Sequence, residues 1–429
     1  MILTTYPSRL SGTVCIPGSK SHTVRAVLIA AMARGESTIR RPLIAADTRS
    51  ALAAAQGLGA EIKEEDNLWR IRGTGGAPRA AGQLIDVGNS GTTLFIALGM
   101  ASLIRQGEIC FDGDQQTRRR SAANLIRSLN DLGSAVTSEG DKPGCCPIRV
   151  RPRLRGGRTS IECPTSQYLT SLLLCTPLAE QDTEITVPLL YEHPYAGMTL
   201  DWLKRLGIKI EALDDLSHFY VPGGQSYCGF DRDIPADFSS ATFFLCAAAI
   251  TGSELVLPGL DMADSQGDRA VVEYLRAMGA RIETDANTIH VRSGAELRGV
   301  DLDLNATPDA LPAMAVSACF ARGRTVLGNV PQARIKETDR IAVMARELSR
   351  LGGRVQERAD GLVIDGAGLK SGRAHGHRDH RVVMAFAIAG LAADGPISVD
   401  TAETAAITFP NFVALLRAAG AKVEEREEK

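Results

Sequence analysis

The chain has 429 residues, of which 44% are hydrophobic and 23% are charged. Its 48 basic and 50 acidic residues give a formal net charge of −2, so the sequence has no overall electrostatic bias toward nucleic acid or a membrane surface. We therefore expect small-molecule partners. A length of 429 residues exceeds the size at which a single hydrophobic core stops growing, which predicts two domains.

A short helical pattern that ends in glycine and leads into an alternating strand occurs six times along the chain. Glycine can adopt the left-handed conformation that ends a helix and turns the chain. The alternation that follows, as at 281–284 and 289–292, has the period of a half-buried hairpin. The six glycines, separated by 74, 74, 72, 73 and 68 residues, are Gly59, Gly133, Gly207, Gly279, Gly352 and Gly420.

A second series of six segments recurs with a similar spacing. Each segment consists of a polar turn followed by an alanine-rich apolar helix. Segment 241–250 is apolar on nearly every face, which predicts a buried helix. Units this small must pack on each other to complete a core. The fold class predicted is therefore α/β, with two globular domains of three pseudo-symmetric units each. The polar turns lie at 17–21, 88–92, 164–167, 236–240, 305–309 and 377–381.

These helix starts are candidate anion-binding sites. A helix N-terminus presents unpaired backbone N–H groups and a partial positive charge, which favour phosphate or carboxylate. In the first unit Lys20, Ser21 and Arg25 lie within about a turn of the helix start. A capped helix with exposed basic side chains is the alternative there. Asp309 likewise has helix capping as an alternative to a role in chemistry.

The nine cysteines are odd in number and have no Cys-x-x-Cys spacing. This pattern favours reduced thiols in a cytoplasmic protein, and it indicates neither a zinc site nor a disulfide framework. No apolar run approaches the length of a membrane span, which is about 18 residues or more. We expect no membrane partner and no nucleic-acid partner.

Several motifs then occur together in a fixed order: PGSKS followed by Arg25, GNSGT, SQ-x-LT, SSA, PD, RIKETDR, DHR and TFP. In this combination the chain resembles the enolpyruvyl transferase family, and within it the branch whose acceptor is shikimate 3-phosphate. The resemblance runs essentially end to end. It implies a two-domain fold with the active site in the interdomain cleft, residues 1–18 plus 236–429 forming one domain and 19–235 the other.

The resemblance also implies a reaction. The enolpyruvyl group of phosphoenolpyruvate is transferred to a hydroxyl of shikimate 3-phosphate and phosphate is released, without a metal or organic cofactor. Lys20, Asp309 and Glu337 are the implied catalytic residues. The family suggests a monomer whose partners are these two small anionic substrates.

Carried over position by position, the resemblance implies two groups of binding residues. Phosphoenolpyruvate is held by Lys20, Asn89, Gly91, Arg120, Arg340 and Arg381. The rest of the substrate site comprises Ser21, Arg25, Thr165, Ser166, Gln167, Glu192, Asp309, Gln332 and Lys336, with Lys20 shared by both substrates.

Several positions depart from the family pattern, among them Thr165, where the family usually has serine. Phe95 and Ile407 stand where the family has cations, and Glu192 stands where it has a serine that contacts the acceptor phosphate. His193 and Gln332 replace an arginine and an asparagine. One interpretation is a divergent working enzyme in which residues 118, 119 or 193 compensate. The alternatives are a paralogue with a different acceptor, including an unphosphorylated one, and an inactive scaffold.

Overall fold

The computed structural model describes residues 1–79, 84–294 and 296–427. Within these ranges the chain forms twelve α-helices, six short 3₁₀ helices and twenty-four strands. The α-helices are α1 Lys20–Met32, α2 Ala46–Gly57, α3 Gly91–Ala101, α4 Ala123–Asp131, α5 Ser166–Cys175, α6 His193–Arg205, α7 Phe238–Thr251, α8 Ala270–Ala277, α9 Leu311–Cys319, α10 Arg340–Arg350, α11 His380–Ala389 and α12 Phe412–Ala418. The 3₁₀ helices are Thr117–Arg119, Thr176–Leu178, Gly267–Arg269, Pro308–Ala310, Pro331–Ile335 and Ala402–Ile407.

The strands in the same ranges form six four-stranded sheets. In chain order they are β1 Ile2–Tyr6, β2 Ser11–Thr13, β3 Glu36–Arg40, β4 Glu61–Glu65, β5 Leu68–Arg72, β6 Leu84–Asp86, β7 Ile109–Asp112, β8 Ala135–Ser138, β9 Ile148–Arg151, β10 Gly157–Cys163, β11 Thr183–Leu190, β12 Glu211–Ala212, β13 His218–Val221, β14 Asp231–Asp233, β15 Glu254–Pro258, β16 Arg281–Asp285, β17 Thr288–Arg292, β18 Asp301–Asp303, β19 Arg324–Gly328, β20 Arg354–Arg358, β21 Gly361–Asp365, β22 Gly372–Ala374, β23 Ile397–Val399 and β24 Lys422–Arg426.

All six sheets have the same topology. One edge strand is parallel to its neighbour, and the other two pairings are antiparallel. The sheet orders are β14-β3-β5-β4, β6-β7-β9-β8, β10-β11-β13-β12, β2-β15-β17-β16, β18-β19-β21-β20 and β22-β23-β1-β24. The predicted six-fold repetition of one α/β unit is therefore confirmed at the level of strand order.

The chain divides into two compact units. Unit 1 comprises Met1–Pro17 and Pro235–Lys429, and unit 2 comprises Gly18–Ile234. Strand β1 lies between β23 and β24, and β2 pairs with β15, so the amino-terminal segment belongs to the sheets of unit 1. Each unit contains three of the six sheets. The expectation of an active site in a cleft stays a prediction.

The helices alternate between two kinds, as the sequence predicts. The odd-numbered helices are buried, and in α7 the side chains from Ala241 to Cys246 are almost completely inaccessible. The even-numbered helices are amphipathic, and α10 buries Ile341, Met344 and Leu348 along one stripe. Each even-numbered helix ends two residues before one of the six glycines, whose φ angles of 75° to 100° only glycine adopts without strain.

The nine cysteines are all free thiols, and their environments differ sharply. Cys15 and Cys228 are exposed, whereas burial raises the pKa of Cys246 and Cys319 to about 12. Across the described ranges, none of the helices combines the length and apolar character that crossing a bilayer needs.

Native alkylation should follow this division. Iodoacetamide at pH 8 is expected to label Cys15 and Cys228 first, with thiols such as Cys246 and Cys319 reacting about a thousandfold more slowly because so little of each is thiolate. Peptide mass spectrometry over time measures the order. Labelling of Cys246 at the rate of Cys15 would contradict the buried placement of α7.

Candidate active site

The side chain of Arg340, the first residue of α10, lies at the centre of a buried ionic cluster. Its guanidinium is completely inaccessible and binds Asp379 at two points, with Nε 2.8 Å from Oδ2 and Nη2 3.1 Å from Oδ1. Nη1 lies 2.7 Å from Asp309 Oδ1, and Nη2 lies 2.6 Å from Glu337 Oε2. We call these four residues, together with Arg381, the Arg340 cluster.

The charge of Arg340 is fixed by its neighbours. Burial by itself would lower the pKa of Arg340, but the carboxylates of Asp379, Glu337 and Asp309 outweigh burial and raise the pKa above its ordinary value. The guanidinium is therefore a permanent cation inside unit 1.

Asp309 bridges two guanidiniums. Its Oδ2 lies 2.9 Å from Arg381 Nη2, while Oδ1 binds Arg340. Asp309 lies inside the 3₁₀ turn Pro308–Ala310, and the N-cap residues of that turn and of α9 are Thr307 and Ala310, so the N-cap interpretation of Asp309 is wrong. Asp379 caps α11 instead, accepting a hydrogen bond of 2.9 Å from the backbone N–H of Arg381. The predicted residues of the KETDR and DHR motifs thus meet through Asp379.

Gln332 and Lys336 flank this cluster in the sequence. Gln332 is 1% exposed, and its Nε2 donates to the backbone oxygen of Asn305 at 2.8 Å. In the described part of the chain its Oε1 has no hydrogen-bond partner. Lys336 is half-buried. Arg334, two residues before Lys336, binds Asp339 at 2.7 Å and lies outside the Arg340 cluster.

In unit 2, the start of α1 holds a lysine against a carboxylate. Lys20 Nζ lies 3.0 Å from Oδ2 of Asp47, near the start of α2, and both side chains are largely buried. The predicted capping alternative is wrong here, because α1 has no side-chain cap and Lys20 is not on an exposed face. Ser19, just before the helix, has a buried hydroxyl without a hydrogen-bond partner in the described residues.

Arg25 is buried in the same unit, and its four hydrogen bonds all go to neutral groups. Nε donates to Thr199 Oγ1 at 3.0 Å, and Nη2 donates to Thr170 Oγ1 at 3.2 Å. The backbone oxygens of Ser21 and Tyr195 accept the other two, each at 3.0 Å. Burial lowers the pKa of Arg25 to about 10, so the side chain is still a cation at neutral pH.

The start of α3 brings Gly91 and Arg120 together. A Cβ added at Gly91 would lie 2.5 Å from Nη1 of Arg120, so only glycine leaves room for the guanidinium at this helix start. Asn89, two residues earlier, donates from Nδ2 to Asp114 Oδ2 at 2.6 Å and to Gln116 Oε1 at 2.5 Å.

The start of α5 is occupied by a carboxylate from the start of α6. Glu192 Oε2 accepts hydrogen bonds from Ser166 N at 3.1 Å, Ser166 Oγ at 2.8 Å and Thr165 Oγ1 at 3.3 Å. Glu192 is 2% exposed. Gln167, the next residue of α5, donates to Thr92 Oγ1 in α3 at 3.1 Å. The structure therefore groups Thr165, Ser166 and Glu192 into one anion-binding arrangement.

The other residues that depart from the family pattern differ in their burial and contacts. Phe95 is buried in the core of unit 2, where its ring packs edge-on against Tyr168 at 5.0 Å. Ile407 is half-buried at the end of a 3₁₀ helix, and His193 is exposed at the start of α6. Arg118 Nε lies 2.8 Å from Asp112 Oδ1, so this candidate for compensation is already paired.

Two carboxylates that organise the site were not predicted as site residues. Asp379 was visible as the first residue of DHR, and its position just before an apolar helix was the available signal. Asp47 had only a weak signal, an acidic residue at the start of a predicted outer helix. In the described residues, no group of three or more histidine, cysteine or acidic side chains is suited to a metal ion.

Comparison with known proteins agrees with this fold along the whole chain. The family model described as EPSP synthase (3-phosphoshikimate 1-carboxyvinyltransferase) matches residues 4–416. A 3-phosphoshikimate 1-carboxyvinyltransferase of Acetivibrio thermocellus is 48% identical over 427 residues, covering 100% of both chains. One from Methanothrix thermoacetophila is 44% identical over 427 residues, covering 99% of both chains. A solved EPSP synthase of Acinetobacter baumannii matches with a TM-score of 0.82 and 28% identity, covering 99% of this chain and 100% of that one.

Fold and sequence together define an enolpyruvyl transferase. More particularly, the chain belongs to the EPSP synthase (3-phosphoshikimate 1-carboxyvinyltransferase) family.

Proposed function

We propose that this protein transfers the enolpyruvyl group of phosphoenolpyruvate to a hydroxyl of shikimate 3-phosphate and releases phosphate. The observation that carries the proposal is the full-length match, at 48% identity, to a relative named for this reaction. The Arg340 cluster, in which the KETDR and DHR residues meet, contains the guanidiniums of Arg340 and Arg381, and guanidiniums bind such anions. In this proposal residues of both units take part.

Phosphoenolpyruvate carries a phosphate and a carboxylate, and the guanidinium fork of arginine matches both groups. Arg120, Arg340 and Arg381 bind this substrate in the proposal, with the helix start at Asn89 and Gly91. Asp309 and Glu337 accept hydrogen bonds from Arg340 and offset its charge. The substrate's anionic groups take over part of that role, which leaves the two carboxylates available for proton transfer.

The reaction is an addition followed by an elimination. A proton is delivered to the methylene carbon of phosphoenolpyruvate while the acceptor hydroxyl attacks the adjacent carbon. The tetrahedral adduct then loses the proton from the new methyl group and expels phosphate. Glu337, beside Lys336, delivers and recovers the carbon-bound proton, and Asp309, assisted by Lys20, accepts the hydroxyl proton.

The remaining site residues are assigned to the acceptor, which carries negative charges of its own. Arg25 is a buried cation whose hydrogen-bond partners are neutral, a setting that favours an anionic ligand. Thr165 and Ser166 present hydroxyl and amide donors at the start of α5. We assign the acceptor site to Lys20, Ser21, Arg25, Thr165, Ser166, Gln167, Glu192, Asp309, Gln332 and Lys336.

A second candidate is transfer to an unphosphorylated acceptor. The specific observation in its favour is that the Glu192 carboxylate occupies donors suited to a phosphate.

The proposed reaction is tested by measuring phosphate release from phosphoenolpyruvate and shikimate 3-phosphate, with mass detection of the enolpyruvyl product. We expect turnover by the wild-type protein and a loss of at least about a hundredfold in Lys20→Met, because an assisting cation is removed. Lys63→Met is the matched control, since Lys63 is a highly exposed lysine of the same unit. Absence of turnover with a folded protein would reject shikimate 3-phosphate as the acceptor.

The helix start at Gly91 offers a sharper test of phosphoenolpyruvate binding. In Gly91→Ala, the new methyl group must displace the Arg120 guanidinium, so we expect KM for phosphoenolpyruvate to rise about tenfold or more. Global stability should change little, because the displaced atoms belong to the far end of a flexible side chain. Gly328→Ala, where the nearest non-neighbouring atom is 3.9 Å away, is the control. An unchanged KM in Gly91→Ala would remove Arg120 from the site.

A further inference from the structure

We propose that Glu192 is an internal competitor for the phosphate group of the acceptor and so determines which acceptors the enzyme uses. The inference rests on the proposed function, because it concerns the acceptor site of that reaction. The side chain of Glu192 occupies the donors that an acceptor phosphate would use, and a phosphorylated acceptor binds there only after the carboxylate has moved away.

The first support is the saturation of the donors at the start of α5. One oxygen of Glu192 receives the Ser166 amide, the Ser166 hydroxyl and the Thr165 hydroxyl within 3.3 Å. A carboxylate oxygen and a phosphate oxygen accept hydrogen bonds from the same kinds of donor. These donors cannot serve two anions at once, and two anions in contact in a buried site repel each other.

The second support is the way the chain holds Glu192 in place. The residue immediately precedes α6 and has φ 61° and ψ 41°, the left-handed conformation that a non-glycine residue seldom adopts. Its side chain is almost completely inaccessible. Removal of the carboxylate from the donors therefore requires a rearrangement, whose cost subtracts from the affinity for a phosphorylated acceptor.

The third support is independent of Glu192: a buried cation of α1, Arg25, donates hydrogen bonds to the same two helices, α5 and α6. Arg25 is bound by Thr170 of α5 and by Tyr195 and Thr199 of α6, and no carboxylate is among its hydrogen-bond partners. With Glu192 removed, unit 2 keeps this buried cation and gains unoccupied hydroxyl and amide donors. Both changes favour a ligand that carries both a carboxylate and a phosphate.

A purely structural role for Glu192 makes a different prediction. If the carboxylate only capped α5, its loss would lower stability and leave the choice of acceptor unchanged. The decisive readout is therefore the ratio of kcat/KM for shikimate 3-phosphate to kcat/KM for shikimate. A change in stability alone does not alter that ratio.

Glu192→Gly removes the side chain and suits the left-handed backbone, whereas Glu192→Gln removes only the charge and keeps the size. Glu184→Gln, at an exposed carboxylate of β11 that pairs with Arg158, is the matched control. We expect the ratio to rise at least tenfold in Glu192→Gly, to rise in Glu192→Gln, and to stay at the wild-type value in Glu184→Gln. A rise of less than threefold in both Glu192 variants would overturn the inference.

Failure of the proposed function can be told apart from failure of this inference. If wild type and variants turn over neither acceptor, calorimetric titration with shikimate 3-phosphate decides the question. A dissociation constant at least tenfold lower in Glu192→Gly than in wild type supports competition by Glu192, even though the proposed reaction fails. Equal dissociation constants overturn the competition.

Discussion

Replacing Arg340 with methionine is expected to lower the free energy of unfolding by about 3–5 kcal/mol. The guanidinium is completely buried and bound to three carboxylates, those of Asp309, Glu337 and Asp379. Without it, three negative charges face one another in unit 1 with only Arg381 of the cluster to balance them. Breaking a buried ionic network by removing one member costs far more than forming it gains, because the remaining charges stay desolvated.

Urea unfolding followed by circular dichroism measures this effect. The double variant Arg340→Met/Asp379→Leu should lose less stability than the sum of the two single variants, since it removes the cation together with the carboxylate that binds it at two points. Arg324→Met is the matched control, because Arg324 pairs with Asp365 on the surface and should contribute only about 0.2–1 kcal/mol. A loss in Arg340→Met no larger than in Arg324→Met would contradict the buried cluster.

The second large effect concerns catalysis. Asp309→Asn is expected to lower kcat by about 10²–10⁴-fold with a small change in the free energy of unfolding. The Arg340 cluster contains two guanidiniums and three carboxylates, so removing the charge of Asp309 leaves two charges of each sign. The amide keeps the size of the side chain, and it removes the group that accepts the acceptor's hydroxyl proton in the proposed reaction.

Steady-state kinetics and urea unfolding of the same preparation separate these two quantities. Asp365→Asn, an exposed carboxylate of unit 1, controls for loss of charge and should leave kcat unchanged. If Asp309→Asn retained kcat within threefold of wild type, Asp309 would have no role in proton transfer. If Asp309→Asn lost as much stability as Arg340→Met, the explanation that a balanced set of charges preserves stability would be wrong.

The repeated fold was predictable from sequence because its signals are local. A glycine such as Gly352 and the stripe of α10 before it lie within one turn-and-helix segment, and the same segment recurs five more times. The parallel edge strand of each sheet was not predicted. In two sheets this strand comes from a distant part of the chain, since β14 pairs with β3 and β2 pairs with β15, and no local pattern records those pairings.

The site was less predictable, since its contacts join distant residues. Motif matching identified Arg340 and Arg381 as site residues. It did not predict that Asp379, 39 positions further along the chain, binds the Arg340 guanidinium. Phe95 suggested a missing cation in the sequence, whereas packing against Tyr168 makes it a core residue. The repulsion expected between Glu192 and an anion depends on hydrogen bonds that join Glu192 to Ser166, 26 positions earlier, and the spacing of these residues alone does not predict those bonds. The functional roles of these residues stay predictions.

The position of β1 between β23 and β24 has a consequence for how the protein is made. Unit 2 is continuous, so on the ribosome its three sheets can form once β14, ending at Asp233, has emerged. The last sheet of unit 1 must wait for β24, because Ile2 pairs with Arg426. Until β23 and β24 have emerged, β1 lacks both of its sheet partners. Biogenesis should therefore proceed in two stages, with the amino-terminal strand among the last elements to be incorporated.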